Sequence, residues 1–198
     1  MRDDPVRPFG ERLPDLRVPP PGPRSRELLA RLSAVESRNV TWQDPEGRAA
    51  WPIVWSEAKG ANVRDADGNT CLDLTAAFGV ALAGHRPRAV EAAVMEQAGR
   101  LVHGMGDVHP PDAKVHLLEA LAALLPWEGA RATLATSGSE AVEIALKTAE
   151  LATADAAHPT GRPGIIAFEG GYHGLTLGSL AATHREAFRA PFRGRVWG

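Results

Sequence analysis

The sequence predicts an α/β fold with a parallel sheet, and three observations predict it. A short apolar strand, "ARATLAT" (130–136), runs directly into the helix-forming stretch "TSGSEAVEIALK" (136–147). A second apolar strand, "GIIAF" (164–168), follows after a linker rich in Ala, Pro and Gly. Strand, helix and strand at this spacing form a βαβ unit, which requires parallel pairing, a right-handed crossover and a buried sheet. The third observation is the 44% apolar content over 198 residues, enough for a sizeable core.

Taken in order, the elements begin with an arm. Seven of the sixteen prolines fall within residues 1–23, a density that blocks both helix and sheet ladders, so this segment is predicted to be extended. From Ser25, a candidate cap, Leu28, Leu29, Leu32 and Val35 mark a short helix that fades at Asn39. "GANVRDADGNTCLDL" alternates apolar and polar residues around Asp67-Gly68-Asn69, which predicts a hairpin because Gly and Asn tolerate positive φ in a tight turn. In "GHRPRAVEAAVMEQAGRL", Pro87 opens a helix and Gly99 weakens its end, with Ala89, Val90, Ala93, Val94 and Leu101 as its apolar stripe. Another helix is predicted over 112–125, with Val115, Leu118, Leu121, Ala122 and Leu125 on one face.

Charge and cysteine usage exclude several classes. A net charge of -2 and a pI near 6.4 give no basic stripe for nucleic acid or an anionic membrane, and Arg185, Arg189, Arg193 and Arg195 read as a solvated face. Cys71 stands alone, so there is no disulfide framework and no thiolate cluster for a metal. It is expected half-buried in a strand. The N-terminus carries charges and prolines, and no apolar run approaches a membrane span, which points to a cytoplasmic setting.

The chemistry concentrates at the start of the quoted helix. Ser137 and Glu140 have the spacing of a capping box, and one reading is that the helix mouth is only capped. The other reading starts from its place at the carboxyl end of a strand, where free N–H groups and the helix dipole favour a phosphate. Gly138 would let an anion approach the backbone, and Ser139 would add a hydroxyl. No Gly-Lys-Ser/Thr follows Gly138, which disfavours a nucleoside triphosphate. The second strand delivers the loop "EGGYHG" (169–174) to the same edge, where Tyr172 and His173 suit a flat heteroaromatic ligand, with an offset stack worth about 1 kcal/mol. Read singly, Tyr172 is a core-edge tyrosine and His173 a satisfied surface histidine.

"TSGSEAVEIALKTAE", followed by "IIAFEGGYHGLTLGSLAAT", resembles the class III aminotransferases among the fold-type I pyridoxal-phosphate enzymes, in particular the 4-aminobutyrate and ω-amino-acid members. "VRDADGNTCLDLTAAFGVALAGH" is similar to the hairpin and glycine turn of that family, although "GHRPRAV" is one residue shorter than the usual turn. The resemblance spans about residues 24–192. It implies a three-layer α/β/α large domain with a mostly parallel sheet. The division it implies is an arm over 1–23, a helix and hairpin of the small domain over 24–75, and an incomplete pyridoxal-phosphate-binding large domain over 76–198. Pyridoxal 5'-phosphate would be held by the backbone of Gly138 and the backbone and hydroxyl of Ser139, with Tyr172 stacked on its ring and His173 in support. Phe78 is the candidate for lining the substrate pocket.

The implied activity is amino-group transfer from an amino acid, ω-amino acids included, to a 2-oxo acid, in a homodimer whose arm packs on the partner. The family's Schiff-base lysine and pyridine-nitrogen aspartate belong to later segments. Lys59, Lys114 and Lys147 are the lysines here, and none matches that position. The chain is therefore expected to be the N-terminal part of such an enzyme, truncated, inactive alone and with no catalytic residue of its own. It is also expected to leave sheet edges unpaired and apolar faces uncovered. A non-catalytic phosphate-binding remnant, an unrelated α/β phosphate binder, and aminomutase or racemase chemistry are the alternative readings.

Overall fold

A computed structural model describes residues 7–38, 40–42, 52–153 and 164–194. The chain divides into two units, Met1–Gly104 and Met105–Gly198.

The first unit is organised by the predicted hairpin. Strands β1 (Trp55–Lys59), β2 (Asn62–Asp65) and β3 (Thr70–Leu72) form an antiparallel sheet in the order β1-β2-β3. Between β2 and β3, one oxygen of the buried Asp65 carboxylate accepts the N–H groups of Asp67 (3.0 Å) and Asn69 (2.8 Å). This is an Asx turn, closed where Gly68 takes φ +85. Cys71 is half-buried in β3, as expected, and burial followed by the nearby Asp65 carboxylate pushes its thiol pKa up.

The hairpin's asparagines then tie down the arm. Asn69 Oδ1 accepts the backbone N–H groups of Arg17 (2.7 Å) and Val18 (3.1 Å). Asn62 Nδ2 donates to the carbonyls of Phe9 (2.7 Å) and Arg12 (2.8 Å). Prolines exclude long ladders but leave room for one 3-10 turn at Phe9–Glu11 and a bridge between Asp15 and Thr70. Side-chain amides thus supply partners that a proline-rich backbone cannot find in itself.

Helix α1 (Pro23–Ser33) starts two residues before Ser25, with Pro23 in its first turn. Ser25 is not its cap. Asp67 fills that role from the hairpin, accepting the N–H groups of Arg24 (2.7 Å) and Ser25 (2.9 Å), while the buried Ser25 hydroxyl accepts Val54 N–H at 3.4 Å. Gly22 permits this approach, since a Cβ there would stand 2.8 Å from that of Asp67.

Beyond β3 the chain makes a left-handed turn, with φ 48, 48 and 58 at Ala76, Ala77 and Phe78. Such residues cost roughly 1–2 kcal/mol each, so something must hold them. The Asp73 carboxylate does. It accepts from Thr75 N–H (3.0 Å), Thr75 Oγ1 (2.7 Å) and Ala77 N–H (2.8 Å), and it pairs with His85 Nε2 at 2.8 Å. The Thr75 hydroxyl first, and then His85, hold its pKa down at about 2. Helix α2 (Arg88–Arg100) follows Pro87 as predicted.

The second unit holds α3 (Asp112–Leu124), α4 (Gly138–Thr153), α5 (Leu177–Ala181) and α6 (Glu186–Arg189). Residues 130–136 and 164–168, predicted as paired strands, carry no ladder among the described residues. A strand exists through its neighbours, and here Leu134, Ile166 and Phe168 stand exposed, Ile166 at 88%. Apolar faces are uncovered in both units: α2, α3 and α4 contain no buried residue. The described buried positions of the second unit are Gly174, Ser179, Leu180, Ala182 and Thr183, within α5 and beside it. Among the described residues, no helix is long and apolar enough to cross a membrane, and no His/Cys/Asp/Glu group could hold a metal ion.

A candidate cofactor cleft at the mouth of α4

The first turn of a helix leaves amide N–H groups without intrahelical acceptors. At α4 the Ser137 hydroxyl accepts Glu140 N–H at 3.2 Å, so the capping reading holds for half of the predicted box. The other half is shifted by one residue: the Glu140 carboxylate accepts the hydroxyl and the backbone N–H of Thr136, each at 2.6 Å, in place of Ser137 N–H. The Thr136 hydroxyl, and then its N–H, hold the Glu140 pKa down. These bonds do not use the amides of Gly138 and Ser139. A Cβ on Gly138 would meet nothing within 4 Å, so the backbone there stands open to a ligand.

The loop 169–176 comes directly against this mouth. Ser139 Oγ accepts Leu175 N–H at 3.4 Å, and a Cβ on Gly174, at φ +128, would collide with the Ser139 side chain and stand 2.7 Å from Ser179 Oγ. Only glycine serves at that contact. Ser137, Gly138, Ser139, Tyr172, His173 and Gly174 line one cleft of about 380 Å³, with Val142 at its side. Three of the four sequence-predicted site residues, Gly138, Ser139 and Tyr172, therefore share one cavity. Phe78 belongs to the first unit, where it is 98% exposed at the left-handed turn.

The loop's shape comes from residues that the sequence reading did not single out. The buried Thr183 hydroxyl accepts His173 N–H (2.9 Å) and directs its proton to Gly174 O or Ser179 O, each 3.0 Å away. Glu143, on α4, accepts Gly178 N–H (2.7 Å) and Ser179 N–H (3.3 Å) at the start of α5. The Thr176 hydroxyl and then these backbone donors hold the Glu143 pKa down, so the carboxylate is charged at neutral pH. Arg185 places its guanidinium 5.4 Å from the centroid of the Tyr172 ring. Glu143 was the most accessible of these to sequence reasoning, since it stands one turn beyond Ser139 on the same helical face. Thr183 carries no local signal.

A family model for class-III aminotransferases matches residues 44–196. An alanine/serine racemase of Pyrococcus horikoshii is 32% identical over 168 residues, 85% of this chain and 33% of that protein. The 5-aminovalerate aminotransferase DavT of Pseudomonas aeruginosa is 39% identical over 133 residues, covering 67% of this chain and 30% of that protein. Among solved structures, a thermostable (S)-enantioselective ω-transaminase from Thermomicrobium roseum superposes with a TM-score of 0.72 at 26% identity, over 85% of this chain and 38% of its own. The chain spans about a third of the length of the curated relatives it matches.

Proposed function

The chain belongs to the class-III aminotransferases, and from that premise we propose that it supplies the phosphate cup and ring wall of a pyridoxal 5'-phosphate site. Family members depend on this cofactor. The reaction served is amino-group transfer from an amino acid, ω-amino acids included, to a 2-oxo acid. The observation that carries the reading is the meeting of Ser139 and the Tyr172 loop in one cleft, at a contact where a Cβ on Gly174 has no room.

The residues present fit the group. Gly138 exposes its amide without a side chain in the way, and Ser139 uses an acceptor lone pair toward Leu175, so its proton is available to an anion. In the proposed site these two hold the phosphate, with the dipole of α4 behind them. Tyr172, which lines the same cleft, would form a wall for the pyridine ring, with His173 in support. Bound there, the cofactor supplies the electron sink for amino-group transfer. Phe78 is assigned to the substrate pocket of the assembled enzyme. The division into an arm (1–23), a small-domain segment (24–75) and a large-domain segment (76–198) belongs to the same proposal, as do a homodimeric assembly and a cytoplasmic setting.

Lys59, Lys114 and Lys147 are assigned no covalent role. Lys147 lies more than two turns along α4 from the cup. Borohydride reduction after addition of pyridoxal phosphate is expected to label no single lysine, and stoichiometric labelling of one of the three would reverse that assignment.

Titration with pyridoxal phosphate, followed by fluorescence quenching, tests the cup itself. Ser139→Ala removes one hydrogen bond to a charged group and is expected to weaken binding by about 1.5–3 kcal/mol. An unchanged affinity would reduce the α4 mouth to a capped helix end. Racemisation is the second reading, favoured by the alanine/serine racemase among the relatives. Loss of the substrate's α-deuterium without formation of an oxo acid, measured in the assembled enzyme, would favour it over transfer.

A further inference from the structure

Two elements must meet in register for the cleft to work: the start of α4, which carries Gly138 and Ser139, and the loop that carries Tyr172. They are 33 residues apart in sequence between Ser139 and Tyr172. The Ser139 to Leu175 bond is long at 3.4 Å, so it is a weak determinant of that register. A stronger tie lies one turn along α4. There the half-buried Glu143 reaches across to the first amides of α5, accepting Gly178 N–H at 2.7 Å and Ser179 N–H at 3.3 Å. Those amides have no acceptor within their own helix, and the α5 N-cap residue, Thr176, makes no side-chain cap bond to them. The carboxylate is thus an N-cap donated by one helix to another. Its fit is close enough that a Cβ on Gly178 would stand 2.9 Å from Glu143 Cδ.

The rest of the loop is fastened to α5 and so follows it. Thr176 Oγ1 and Ser179 Oγ are 2.8 Å apart, and Thr183, one turn beyond Ser179, accepts His173 N–H at 2.9 Å. Moving the start of α5 therefore moves Tyr172, while Gly138 and Ser139 stay where α4 holds them. We infer that Glu143 is a positioning residue that sets the Tyr172 loop in register with the Gly138–Ser139 cup. This deepens the cofactor reading above and rests on it. Glu143 is not among the residues that line the cleft. Its effect is confined to ligands that engage both walls of the cleft at once.

That confinement supplies the test. Inorganic phosphate needs only the cup, whereas pyridoxal phosphate needs cup and ring wall together. In the 198-residue chain, Glu143→Ala is expected to weaken pyridoxal phosphate by about tenfold or more while phosphate, followed by phosphorus NMR line broadening, stays within about twofold. Glu143→Gln keeps a carbonyl acceptor at the same reach and is expected to restore most of the lost affinity. Gly178→Ala keeps the glutamate at 143 and raises the helix propensity of α5, yet should reproduce the pyridoxal phosphate defect because its Cβ displaces the Glu143 carboxylate. Loss of both ligands in parallel in all three variants, or of neither, would overturn the positioning role. If the unmutated chain shows no pyridoxal phosphate binding that phosphate competes away, the cofactor reading fails first and the inference falls with it.

Discussion

At Asp73 one carboxylate governs a stretch of irregular chain that ends at His85, 12 residues on. Its pKa is lowered from an ordinary 3.8 to about 2. A depressed folded-state pKa means that its stabilisation is fully present above the unfolded value and is lost as pH falls through the folded one. Protection of the Thr75 and Ala77 amides, corrected for intrinsic exchange, is expected to fall between about pH 4 and pH 2. Asp73→Asn should erase that acid step, while leaving Phe78 on a turn no longer clamped at neutral pH. An acid profile identical in the variant would move the effect to another carboxylate. Ser139 and Glu143 show the same economy: each acts through one or two backbone amides, and glycine at 174 and 178 lets the opposing chain come close enough.

Among the elements, those built from local rules were the legible ones. The hairpin at Asp67-Gly68-Asn69 and the helices after Pro87 and over 112–124 lie where turn chemistry and helical period put them. Helix α1 differs at its start because its cap is 43 residues away in Asp67, a partner no window of sequence contains. Removing it by Asp67→Ala is expected to cost about 1 kcal/mol and to speed exchange at Arg24 and Ser25. Equal exchange in the variant would return the capping role to groups within the helix. Residues 130–136 and 164–168 read as strands from composition, yet a ladder depends on partners, and composition carries no information about them. Of the candidate cleft, the glycine, serine and tyrosine were legible because each sits in a motif. Thr183 was not, because its three contacts arise only after the loop closes on α5.

Over the whole molecule the distribution of apolar surface is the dominant fact. Buried apolar side chains among the described residues are Val63, Leu180 and Ala182, while Leu74, Val80, Leu124, Ile166 and Phe168 each stand at least 80% exposed. Surface of this kind is expected to bind a hydrophobic dye strongly and to drive concentration-dependent self-association, read by light scattering over a dilution series. A monodisperse, dye-silent chain would show that these faces are covered in solution. The buried positions of the first unit are instead mostly polar, and the arm's place among them bears on synthesis. Phe9 finds Asn62 across 53 residues, and Arg17 finds Asn69 across 52. During translation the arm is made before the hairpin and does not have these anchors until the hairpin has left the ribosome, which at ordinary elongation rates is a wait of several seconds. For that interval Phe9 and Arg17 lack the partners they hold in the folded unit, and a protease or a nascent-chain chaperone meets them before Asn62 and Asn69 do.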